Sequence, residues 1–257
     1  MNKIFNPARF GKLFIKHTTE HYKAYLMALA VLIGVMVLGG SFLVYMIDAP
    51  LDHSTQSALF VVILLIAGTI YTSTIFADLG DKKKSIAYLT LPATHFEKYL
   101  VAWLYSFLIF LLIYAISFYL VAFFLLNIKH VSGQAEGVIN LWQKQYFQMA
   151  LVYAFLHAIA FWGAICFNKL HFIKTGFIFF IFLGLLILLN KVVLTAMIGR
   201  NVDAAPPFGS LRFSDAGRQV DIMLPDARDN PILTFLVLGL TLVIWIAAYY
   251  RLKEKQV

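Results

Sequence analysis

Six long apolar stretches constrain this chain more than any other feature of its sequence. They cover residues 24–47, 57–76, 99–126, 146–167, 173–193 and 232–250. A helix needs roughly 20 apolar residues to cross the ~30 Å hydrocarbon core of a bilayer. None of the six contains an acidic residue, and lysine appears only near their ends. A buried helix in a soluble core would account for one such stretch, but not for six in succession. Outer-membrane strands would be shorter and would alternate. Composition agrees: the chain is 61% hydrophobic and 13% charged, with mean hydropathy +0.80, whereas soluble domains carry about 25% charged residues. This excludes an ordinary soluble enzyme and a disordered chain. The single cysteine, Cys166, excludes a disulfide scaffold. The expected fold class is an all-α integral membrane protein with six transmembrane helices.

Lysine and arginine set the expected orientation. The segments before the first stretch and after the second, fourth and sixth hold 14 of them, and the other connections and span edges hold 7. The positive-inside rule puts the 14, and both termini, in the cytoplasm. The net charge of +8 then reads as loops facing anionic lipid, with no nucleic acid as partner. The first apolar stretch is too long for a signal-peptide core, so it is expected to remain as a span. The localisation expected is the inner (cytoplasmic) membrane, multi-pass.

The chain divides into residues 1–23 and a six-span domain, 24–257. In the first part, Asn6 and Pro7 read as the start of a helix. Phe10, Leu13, Phe14 and His17 share one face, and Arg9, Lys12, Lys16 and Lys23 lie largely elsewhere. That pattern predicts an amphipathic helix lying on the inner leaflet, with membrane lipids as its partner, which then turns into the first span.

The segment between the second and third spans is the most informative. Gly80 reads as the end of the incoming helix. Asp81 caps a short helix through Ser85, Ile86, Tyr88 and Leu89 to Leu91, and Pro92 stops it. Thr94-His95-Phe96-Glu97 is a capping box that restarts a helix into the third span. On the other side, the long loop 194–231 holds two short alternating runs around Asp215-Ala216-Gly217, which suggest a small hairpin. Asn230-Pro231 reads as the cap of the last span.

There is no G-x-x-x-x-G-K-[ST] motif, so no ATP hydrolysis is expected from this chain. There is no H-E-x-x-H, no Cys/His cluster and no G-x-S-x-G, so neither catalytic nor metal residues are expected. Thr69, Thr72 and Ser73 make the inner half of the second span polar, and His157 lies within the fourth. These four either line a pathway or hydrogen-bond between helices. Gly34, Gly39 and Gly40 are expected to permit close helix approach.

The amphipathic entry, six spans with both ends inside, and the run Asp78-Leu-Gly-Asp-Lys-Lys-Lys-Ser-Ile-Ala-Tyr-Leu-Thr-Leu-Pro-Ala-Thr-His-Phe-Glu-Lys98 together resemble the membrane subunits of type-2, exporter-class ABC transporters. In that family the short helix after the second span couples to a separate ATPase. The resemblance implies that 81–91 is the coupling helix, with Asp81, Ser85, Ile86, Tyr88, Leu89, Leu91 and Pro92 as its functional positions, and with Ile86, Tyr88 and Leu89 exposed to dock into a groove on the ATPase. It also implies a permease subunit forming half of a translocation pathway. Its partners would be an ABC ATPase dimer and a second copy of itself or a related permease. No cofactor would be held in this chain, while ATP and Mg would bind to the ATPase. A non-transporting assembly or scaffold subunit, binding a partner through its outer loop, is the alternative.

The charge asymmetry predicts that a cysteine replacing Ser214, in a Cys166→Ala background, reacts with an impermeant maleimide on intact cells, and that one replacing Lys83 reacts only after lysis. The reverse pattern would overturn the orientation.

Overall fold

The computed structural model describes residues 5–46, 52–128, 137–203, 206–209, 211–215, 218–222 and 231–255. Among them, six helices are long and apolar enough to cross a membrane. The protein is a multi-pass membrane protein, and the described residues are helical apart from loops and one hairpin. The helices are α1 (Pro7–Met46), α2 (His53–Thr74), a short α3 (Lys82–Thr90), α4 (His95–Trp103), α5 (Phe110–Ile128), α6 (Lys144–Cys166), α7 (His171–Ile198) and α8 (Pro231–Glu254). A π-helical turn, Leu104–Ile109, joins α4 to α5, so the two make one continuous rod. The expected hairpin is present: β1 (Leu211–Asp215) pairs antiparallel with β2 (Arg218–Ile222) in the register Asp215↔Arg218. Asn230, expected to cap the last span, lies outside the described residues.

One expectation is corrected at the start of the chain. Residues 7–23 do not turn into the first span; α1 is a single helix of 40 residues. At 1.5 Å per residue it is about 60 Å long, roughly twice the hydrocarbon thickness. No glycine or proline breaks residues 12–33, so nothing interrupts the backbone ladder there. The face expected to lie on lipid packs partly on protein: the Phe14 and Tyr105 rings are 4.8 Å apart, and His17 and Tyr105 4.7 Å. Arg9 and Phe10 are half-buried, whereas Lys12 and Lys16 are exposed.

Three long-range contacts gather both chain ends at one end of the bundle, here termed the basic end. Arg9 Nε lies 2.7 Å from Glu97 Oε2, and His21 Nε2 lies 3.2 Å from Asp78 Oδ2. Lys255 Nζ donates to the Ile165 carbonyl at 2.9 Å, satisfying an otherwise unpaired acceptor near the end of α6. At the far end, the buried Gln56 receives the Ile139 amide (3.2 Å) and donates to the Gly137 carbonyl (3.3 Å).

The bundle is built around α6. Half of its most apolar stretch is buried, against none of α7's. Lipid tails are as apolar as leucine, so helices associate here through close packing and hydrogen bonds. Gly68 meets the Tyr153 ring and Gly163 meets Thr175; a β-carbon at either would overlap those side chains. Of the three first-span glycines, only Gly40 makes such an approach, to Leu125, while Gly34 and Gly39 face open space. Gly80 does not end α2, which stops at Thr74; it closes a 3₁₀ turn, Ala77–Gly80, and a β-carbon there would overlap the Asn168 carbonyl.

Thr175 is β-branched and stiff, so Gly163→Ala is expected to push α7 from α6. The overpacking costs about 1–3 kcal/mol, read as a lower thermal midpoint in detergent. Gly34→Ala, whose added carbon meets nothing within 4 Å, serves as control; equal midpoints for the two variants would contradict the packing argument.

Candidate functional site

At the basic end, α3 stands between two anchored connections. Its first turn is capped by Asp81, whose Oδ1 accepts from the Lys83 amide at 2.9 Å and the Lys84 amide at 3.4 Å. Asp78, just before it, accepts from Lys84 Nζ at 3.1 Å and from His21 of α1. Burial pushes the Asp78 carboxyl up, but the Lys84 and His21 bonds outweigh it and hold it below the usual range. After α3, Leu91 is extended, as the residue before a proline prefers. The capping box is complete: Thr94 Oγ1 accepts from the Glu97 amide (3.3 Å), and Glu97 Oε2 accepts from the Thr94 amide (3.0 Å).

Glu97 does more than cap, a role its spacing alone did not suggest. It is fully buried, and three further donors come from the chain's beginning. The Asn6 amide reaches Oε1 at 2.8 Å, Arg9 Nη2 reaches Oε1 at 2.8 Å and Arg9 Nε reaches Oε2 at 2.7 Å. Burial pushes this carboxyl up, but Arg9 and the Asn6 and Thr94 amides outweigh it and hold it at about 2. Arg9, expected among the lipid-facing cations, is thus committed to a protein carboxylate.

The structure sorts the predicted coupling positions. Ile86 is exposed, at 46%. Ser85 and Leu91 are half-buried and Pro92 is exposed. The Leu89 side chain lies outside the described residues. Tyr88 is corrected: it points back to the bundle, 6.5 Å from the Phe76 ring, with Lys98 Nζ 5.7 Å from its own ring centroid. It secures α3 instead of offering an outward anchor.

The four in-span polar residues are not brought together around an opening. Thr69, Thr72 and Ser73 donate to the carbonyls of Leu65, Gly68 and Thr69 of their own helix, at 2.6, 2.7 and 2.8 Å. His157 bridges three helical segments. Trp245 Nε1 donates to His157 Nδ1 at 3.2 Å, which places the imidazole proton on Nε2, 2.9 Å from Ser106 Oγ. Ser106 Oγ in turn donates to the Ala102 carbonyl at 2.8 Å. The π turn belongs to this network. The Phe110 amide bonds five residues back, to Tyr105, and the Ser106 carbonyl accepts the Tyr153 hydroxyl at 3.2 Å. Such turns recur at functional sites; no signal in the sequence marked this one.

An opening that the sequence did not reveal lies elsewhere. A cleft of about 700 Å³ runs between α1, α2 and the start of α5. Its walls are apolar, Phe110 among them, except at the basic end, where Thr18, Tyr22, Tyr25, Tyr71, Thr74 and Tyr105 line it. Tyr25 Oη lies 2.6 Å from His17 Nε2, and the Thr18 hydroxyl bonds Tyr105 Oη. Burial, with His21 close by, lowers His17 to about 4 despite the opposing pull of Asp78, so it is neutral at neutral pH. Among the described residues, no group of three or more His, Cys, Asp and Glu side chains converges as a metal site. Compared with protein-family models, curated proteins and solved structures, the chain matches none.

Glu97→Gln removes the charge that Arg9 and two amides converge on. The start of α1 is expected to detach, so that a spin label replacing Lys12 becomes more mobile. Because the folded carboxyl is held at about 2 against an ordinary 4.5, its contribution is complete above pH 4.5. It is lost as pH falls towards 2. Wild-type label mobility should therefore rise over that window and stay level in the Gln variant; a wild-type label insensitive to pH there would contradict the clamp.

Proposed function

We propose that this chain is the permease subunit of an ATP-driven exporter of the type-2 ABC class. In this reading it lies in the inner membrane with both termini and α3 in the cytoplasm. It forms half of a translocation pathway that a second copy or a related permease completes. A separate ATPase dimer supplies ATP and Mg chemistry. The observation that carries the reading is the mounting of α3. A free helix of nine residues is marginal in water. Here Asp81 caps it, the Asp78 bonds to Lys84 and His21 hold the approach to it, and Pro92 with the Thr94–Glu97 box defines the far end. Tyr88 fastens its inner face, while Ile86 and the exposed Lys83 face away from the bundle. A helix held this firmly moves as a unit with α1 and α4, which is what transmitting a push from a partner requires. The outward Lys83 beside Ile86 suits an acidic rim around an apolar pocket.

An anchor of this kind contributes about 2 kcal/mol or more to an interface, roughly thirtyfold in affinity. Ile86→Asp is expected to weaken ATPase recruitment by that order, with expression and insertion unchanged. Pro92→Ala should leave recruitment intact but uncouple ATP hydrolysis in proteoliposomes, because α3 could then run on towards α4. ATPase captured by Ile86→Asp with undiminished affinity would remove the main support for the reading.

A further inference from the structure

We propose that the cleft between α1 and α2 is a binding site for one anionic glycerophospholipid, with an acyl chain along the cleft and the phosphate at the tyrosine cluster. The site requires only that the chain be in a bilayer, so it does not rest on the transport reading.

The cleft exists because α1 is pinned at two separated points. Near the basic end Arg9 holds Glu97 and Phe14 packs on Tyr105; near the other end Gly40 lies against Leu125, and Val44 is buried. Between these points α1 stands off α2 and reaches it through the Tyr25 and Tyr71 rings, whose centroids are 5.9 Å apart. From Tyr22 to Val35 the opening runs about 20 Å along the helix, at 1.5 Å per residue. That matches one leaflet's share, about 15 Å, of the hydrocarbon core, plus its interface. The volume falls within the range of small-molecule sites.

The surroundings decide the occupant. Leu26, Val31 and Ile66 line the cleft and are 60%, 60% and 55% exposed, so the rim opens sideways to hydrocarbon and not to water. An unfilled apolar slot would forfeit dispersion contacts along its whole lining, and what the bilayer offers at that depth is an acyl chain. At the basic end the character changes within about one helical turn. Tyr25, Tyr71 and Tyr105 gather hydroxyls here, those of Tyr25 and Tyr105 already bonded to His17 and Thr18, and phenols sit at headgroup depth. Lys23 does not line the cleft, but it follows the lining residue Tyr22 and its Nζ is 5.9 Å from that ring's centroid, within a lysine side chain's reach of a headgroup at this end. The acids nearby are engaged: Glu20 with Lys16 at 3.6 Å, and Asp78 with His21 and Lys84. The mouth therefore favours an anionic head over a zwitterionic one.

The test uses the full chain in phosphatidylcholine nanodiscs carrying a trace of phosphatidylglycerol with a diazirine in its acyl chain. Photolabelling is expected at one lipid per chain, on residues 22–35 and 63–74. Filling the slot with Ala28→Trp or Ala67→Trp should lower it on the order of tenfold, and Val62→Trp, on the outer face of α2, should not. Should a tryptophan variant fail to fold, Leu29→Cys in a Cys166→Ala background, blocked after purification with an alkyl maleimide, fills the same space. Tyr25→Phe with Lys23→Gln should let phosphatidylcholine compete about tenfold better. Labelling that survives cleft filling, that falls equally on the exposed face of α7, or that is replaced by a cross-link from a second copy into the slot would overturn the site. Equal competition by both lipids in the wild type would overturn the anionic assignment.

Discussion

The buried carboxylate of Glu97 is the point on which the basic end depends. A charge taken out of water is costly unless it is paired and its lone pairs are satisfied. Here Arg9 meets it with two nitrogens, and the Asn6 and Thr94 amides complete the shell. Removing any donor would leave a charge under-satisfied, so the start of α1 and the start of α4 are held together. The effect reaches further because α3 lies between Asp78, bound to His21 of α1, and Thr94, bound to Glu97. Both ends of the short helix are thus referenced to the same long helix.

The middle of the bundle solves a different problem. Within hydrocarbon, each backbone and side-chain polar group needs an internal partner. The π turn displaces one backbone bond, and the Ser106 carbonyl takes the Tyr153 hydroxyl; Ser106, His157 and Trp245 then link α6 to α8 through one chain of hydrogen bonds. The network is closed on itself, so His157 serves as a junction between helices. The hydroxyls of Thr69, Thr72 and Ser73 return to their own helix for the same reason.

Packing is uneven by design of the solvent. In a bilayer an exposed leucine or phenylalanine costs nothing, so α7 can bury Thr175 against Gly163 and leave most of its surface to lipid. The same freedom lets α1 stand away from α2 and leave a slot open along its length.

The chain's own pattern determined the six spans, the short helix with its Asp81 cap and Pro92 stop, the Thr94–Glu97 box and the hairpin. These are local or composition-driven features: bilayer thickness sets a minimum apolar length, and caps and prolines act within a few residues. Tertiary structure alone decided that α1 runs straight through residue 24, that Arg9 turns to Glu97 and not to lipid, and that Tyr88 faces inward. It alone placed the π turn, the His157 junction and the cleft. Each of those depends on which helices are neighbours, and hydropathy carries no such information, because lipid and a neighbouring apolar helix favour the same residues on a spanning helix.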